Sequence, residues 1–205
     1  MRVKALCCAV LALCFISAEP ALAHAPVPGI KGFYIGLIHP FSTPAQALLI
    51  LGVGLVTAGF PVSKVRWFVS LFFVMSVLGV FVGSATFEPD MAMYCAAVVA
   101  CTLAALAPGK FPLPVLICAA LGGLLIGFVS VPDDGPARDR LFTMTGSIAG
   151  ANIGLLYLYG ISSVIQERFE QDWIGIGFRV LAAWLGAIAL LMLALAYSQA
   201  TTIAS

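Results

Sequence analysis

Thr43-Pro44-Ala45-Gln46 opens an apolar run that ends at Phe60, TPAQALLILGVGLVTAGF, and how that run must be housed decides the fold. It carries no charged residue, and its only strong hydrogen-bonding side chains are Thr43, Gln46 and Thr57. Thr43 is placed as an N-cap, Pro44 as the first helical residue, and Gln46 three positions on as the partner that completes a capping box. From Pro44 to Phe60 the helix rises about 25 Å at about 1.5 Å per residue, just short of a hydrocarbon core of about 30 Å. The segment before it, Gly32-Phe33-Tyr34-Ile35-Gly36-Leu37-Ile38-His39-Pro40, is also apolar. Pro40 disfavours helix at His39. We therefore expect a broken span: a short outer piece, a kink at His39-Pro40, then a helix to about Phe60. Broken, short spans are where ion and substrate sites are built.

The rest of the chain repeats the pattern. Of its 205 residues, 62% are apolar and 9% charged, against about 45–50% and about 25% in soluble domains. Mean hydropathy is +1.10. So few charges cannot cover a water-facing surface. Ten Lys+Arg and nine Asp+Glu without a basic patch exclude a nucleic-acid partner. The expected architecture is an all-α, polytopic membrane bundle in the lipid bilayer, with spans near 43–60, 65–84, 90–107, 111–131, 141–165 and 173–197. Turn chemistry separates them at Gly59-Phe60-Pro61, Glu88-Pro89-Asp90, Pro108-Gly109-Lys110 and Pro132-Asp133-Asp134-Gly135-Pro136.

Residues 1–23 read as a secretory signal: Arg2 and Lys4, an apolar core from Ala5 to Ile16, and the small-residue site Ala21-Leu22-Ala23. Cleavage there makes residues 24–205 one membrane domain beginning at His24. The alternative is an uncleaved first helix. With the mature start outside, Lys64, Arg66, Lys110, Arg168 and Arg179 fall inside, against Lys31, Arg138 and Arg140 outside, in the sense of the positive-inside rule. The expected location is a bacterial inner membrane with both termini periplasmic. Trp67 and Trp173 then mark the inner boundary, and Tyr94 and Tyr197 the outer one.

Chemistry-bearing residues are sparse. His24 and His39 are the two histidines. An N-terminal His24 offers its amino group and a ring nitrogen together, and imidazole suits Ni, Cu and Zn. His39 is either a metal ligand at an outer vestibule or a group that satisfies backbone freed by the kink. Gln46, Ser147 and Asn152 are the polar side chains placed to line a path. Met91, Met93 and Cys95 form a weaker soft-metal candidate suited to copper. Cys95, Cys101 and Cys118 lie in apolar runs and suggest no disulfide framework. Gly146, Gly150 and Gly154 recur every four residues and make a smooth stripe, either for helix packing or for a second subunit, in a homo-oligomer or with another membrane protein. No Ser/His/Asp set or nucleotide loop is present, so an enzyme is not expected.

Ala-His at the signal's end, a glycine-aromatic stretch, and His39-Pro40 at the head of the first span together resemble the HupE/UreJ family. Its first-helix pattern is roughly HPxxGxDHxLAM. His39 and Pro40 match it, while Ala45-Gln46 replace its Asp-His pair. A later family pattern, HGHAHGxE, aligns with Thr145 to Asn152, keeping the glycines Gly146 and Gly150 and placing Asn152 at the Glu. The resemblance implies a six-to-eight-span permease for nickel or cobalt, with His39 as the matched ligand and His24 as a second. No resident cofactor is implied; Ni, Co or Cu would be cargo. The other class kept open is a non-transporting subunit docked through the stripe.

Overall fold

The computed structural model describes residues 32–83, 89–132, 136–169 and 171–203. The expected signal segment, residues 1–23, and His24 lie outside the described residues. Seven helices occur among the described residues, in order: α1 Phe33–Ser42, α2 Pro44–Ala58, α3 Val62–Val82, α4 Asp90–Leu106, α5 Pro112–Val129, α6 Ala137–Arg168 and α7 Asp172–Ile203. No strand occurs among the described residues. The α3, α5, α6 and α7 helices are long and apolar enough to cross a membrane, and α1 with α2, bent by 77°, are so only when taken together as one broken segment. The α4 helix has 17 residues, about 25 Å, and packs one face into the bundle, with Met93, Ala97 and Ala100 fully enclosed and Val99 and Leu106 exposed. The protein is a multi-pass helical membrane bundle.

The break in the first span is not where His39-Pro40 suggested. The α1 helix continues through Pro40 to Ser42. The ring costs it one backbone hydrogen bond, the one Gly36 O would accept. Chain direction changes at Thr43, whose φ of −101° and ψ of 115° are extended. The same pre-proline rule operates, with Pro44 rather than Pro40 in control. The last turn of α1 closes on one carbonyl: His39 O accepts from Thr43 N at 3.2 Å and from Ser42 Oγ at 3.0 Å. Thr43 is the N-cap of α2, but its side chain makes no capping bond. The expected capping box therefore does not form, because Gln46 turns to His39 instead. A working cap is worth about 1 kcal/mol. Thr43→Ala is accordingly expected to shift the melting temperature by less than about 2 °C, measured by thermal denaturation in detergent.

The α2 helix is the axis of the molecule. Ala45, Leu49 and Val53 are fully enclosed, and each of the other six described helices packs against it. Two parallel pairs flank it, both built on glycine. In α3–α5, a Cβ on Gly123 would strike the Phe72 carbonyl, and one on Gly127 the Ser76 carbonyl. In α1–α6, Gly146 faces the Phe33 carbonyl and Gly150 the Leu37 carbonyl, while Gly36 returns the contact at Thr143. Lipid tails are as apolar as the side chains, so close backbone approach replaces the hydrophobic effect as the source of cohesion. The outer surface is apolar, as lipid requires: Phe81 is 81% and Trp184 70% exposed. Trp67 and Trp173 are exposed at the helix ends, but Tyr94 is buried among core residues rather than at the lipid boundary.

Candidate metal-transit site at the broken span

The 77° bend brings the end of α1 back over the first turn of α2. Gln46 Nε2 stands 3.2 Å from His39 Nε2, so the amide donates and the ring nitrogen accepts. Gln46 is 2% exposed, while His39 is half-buried and retains a side open to the surroundings. The other end of the amide is unanswered. Gln46 Oε1 is buried and has no hydrogen-bond partner. A buried acceptor without a donor costs about 1–3 kcal/mol, so this oxygen is a standing demand for something electropositive.

A second polar group joins α6 to the α3–α5 pair. Asn152 Nδ2 donates to Ile148 O at 2.9 Å and to Ser76 Oγ at 3.3 Å. Ser76 Oγ in turn donates to Phe73 O at 2.8 Å. Ser147 Oγ lies 2.8 Å from Ser130 Oγ, which donates to Ile126 O at 2.6 Å, so Ser147 is the donor of that pair. Asn152 Oδ1 is the second buried oxygen without a partner. Ser76 and Ser130 were not among the residues singled out from sequence. Their signal was visible as hydroxyls in otherwise apolar spans, but a lone serine does not reveal which helix it will meet. Removing one such contact costs about 0.6 kcal/mol within a membrane. Ser147→Ala is expected to lower the melting temperature by about 1–3 °C in the same denaturation assay.

The remaining candidates are placed as follows. The stripe of Gly146, Gly150 and Gly154 is buried and filled by α1 of the same chain, with Gly154 against the Phe41 ring. A partner subunit would have to displace α1 to use it. Met91, Met93 and Cys95 are not brought together: Met93 is fully buried, whereas Met91 and Cys95 face outward. A step of two residues turns a helix by about 200°, which sets Met93 apart from Met91 and Cys95, while those two, four residues apart, share the outward face. Among the described residues no three His, Cys, Asp or Glu side chains gather closely enough to hold a metal. Such a set of ligands would be needed for a tight, closed site. His39 with Gln46 is a contact of two groups and falls short of such a set.

The fold and this polar break define a multi-pass membrane protein organised around one bent, histidine-bearing span. The chain belongs to the HupE/UreJ family: the sequence model described as HupE / UreJ protein matches residues 11–129, more than half of its length. The match takes in the bent span and ends with α5, so the glycine pattern of α6 lies beyond it. No curated protein and no solved structure matches the chain.

Proposed function

We propose that this chain is a HupE/UreJ-type permease that passes a divalent transition metal, nickel or cobalt by family, across a bacterial inner membrane. The observation that carries the reading is the buried, unpartnered Gln46 Oε1 beside His39 at the break in the central span. A passing cation gives that oxygen its missing partner and, once the Gln46 amide hydrogen leaves His39 Nε2, takes the freed lone pair of that ring nitrogen as a second ligand. Glutamine oxygen is a weak ligand and the site is not closed, so the ion is released as well as captured. His24, if it is the mature N-terminus, adds an outer capture group. Ser147 and Asn152 continue the polar line on α6, where Asn152 Oδ1 offers a second unpaired oxygen. The termini face the periplasm, and Lys64, Arg66, Lys110, Arg168 and Arg179 face the cytoplasm. The filled glycine stripe favours this reading over a docking subunit. Copper handling is the weaker alternative, since Met93 is buried away from the outward pair Met91 and Cys95.

Metal accumulation tests the reading. Cells expressing the chain are exposed to Ni, Co, Cu and Zn in turn and analysed for element content. One metal, Ni or Co, is expected to accumulate above the empty-vector level and to return to it with His39→Ala at equal membrane abundance. Accumulation unchanged in that variant would remove the mechanism.

A further inference from the structure

At the end of the bundle opposite the bend, the C-terminal turns of α2 and α4 and the first turns of α7 enclose an open cavity of about 330 Å³. Its walls are apolar at Leu55, Ala104, Ile176 and Phe178, and polar at Gln166 and Arg179. Arg179 is held in place: its Nε donates to Ala105 O at 2.7 Å. That bond uses one of five guanidinium donors and fixes the plane of the group. No described carboxylate pairs with the remaining nitrogens. Gln166 is anchored in the same way, its amide nitrogen donating to Ser162 O at 3.2 Å and to Ala58 O at 3.4 Å. Beside them α7 leaves a slot, since a side chain at Gly175 would meet nothing within 4 Å. Lys64, set over the Phe60 ring at 5.7 Å, and exposed Lys110 add positive charge at the same end. Trp67 and Trp173, both exposed, mark this level as a membrane–water boundary.

We propose that this cavity binds an anionic phospholipid, with its phosphate on the Arg179 guanidinium and an acyl chain along Leu55, Ile176 and Phe178. A guanidinium at the bilayer boundary, oriented by one backbone bond and open on its other edge, matches a phosphate in charge and in fork geometry. The apolar walls on the bilayer side match a chain rather than water, which favours a lipid over a free anion. Surrounding cations raise the local concentration of anionic headgroups.

The test uses the full-length protein in neutral detergent, titrated with phosphatidylglycerol, phosphatidylcholine or sodium phosphate while the melting temperature is recorded. Phosphatidylglycerol is expected to raise it by about 5 °C, and phosphatidylcholine and inorganic phosphate by much less. Arg179→Gln is expected to abolish the difference between the two lipids. Gly175→Leu, which fills open space and leaves the fold intact, is expected to abolish it too. Arg66→Gln, at the same boundary but set over Trp67 at 5.6 Å and outside the cavity, is expected to keep it. Equal shifts with both lipids, a lipid difference that survives both Arg179→Gln and Gly175→Leu, or an equal shift with inorganic phosphate would each overturn the proposal.

Discussion

Gly127→Leu is expected to lower the melting temperature by about 10 °C, and Gly160→Leu to leave it unchanged. Both glycines lie within membrane-spanning helices, and the substitution adds the same apolar volume to each. The difference is the neighbour. A Cβ at Gly127 would sit on the Ser76 carbonyl and only 3.0 Å from Gly79 Cα. Those are backbone atoms and cannot rotate away, so α3 and α5 must separate. Overpacking costs about 1–3 kcal/mol when side chains absorb it, and the upper end applies where backbone blocks the way. At about 2–4 °C per kcal/mol for a chain of this size, that gives the expected shift. At Gly160 nothing lies within 4 Å of the added atom. The separation also draws Ser76 away from Asn152 and Ser130 away from Ser147, so the polar bridges to α6 weaken with the packing. Thermal denaturation of the two variants side by side checks this. Equal shifts would mean that the glycine contact does not hold the pair.

Gln46→Leu is expected to move stability and transport in opposite directions. Leucine removes a buried oxygen that has no partner, and an apolar group of similar size removes the desolvation cost of about 1–3 kcal/mol. The loss on the other side is one hydrogen bond to His39, which is only half-buried and can turn to water. The melting temperature should therefore hold or rise by about 2–4 °C. On the proposed metal path, where Gln46 Oε1 is a ligand, metal uptake should fall about 10-fold or more, since one lost contact worth about 1.4 kcal/mol is tenfold in affinity. A residue that lowers stability while it raises activity is the signature of a functional site. Melting temperature and initial uptake rate, taken on the same preparations, check it. A falling melting temperature with unchanged uptake would make Gln46 a structural tie between α1 and α2.

Long apolar runs and proline-glycine breaks made the helical membrane bundle readable, because burying a helical backbone in lipid needs only length and hydropathy. The place of the bend was less legible. His39-Pro40 and Thr43-Pro44 offer the same pre-proline signal, and the choice between them was made by packing, with Gly36 holding α1 against α6 through Pro40. The glycine stripe of α6 was visible, but not its occupant, since pairing between helices distant in the chain leaves no local trace. The same holds for the partners of Ser147 and Asn152, which sequence placed in the interior without Ser130 and Ser76. At the bend, Gln46 read as a cap because the spacing fits one. The structure gives its amide to His39 across seven positions, a contact that exists only once the chain has turned at Thr43.

Initial-rate influx of Ni²⁺ or Co²⁺ into sealed proteoliposomes, with a trapped metal-sensitive dye and the wild type set against His39→Ala, tests the metal path most directly. The bent-span account predicts saturable influx through the wild type and a fall to the protein-free rate in the variant, with both proteins inserted equally. Equal influx through the two would contradict it.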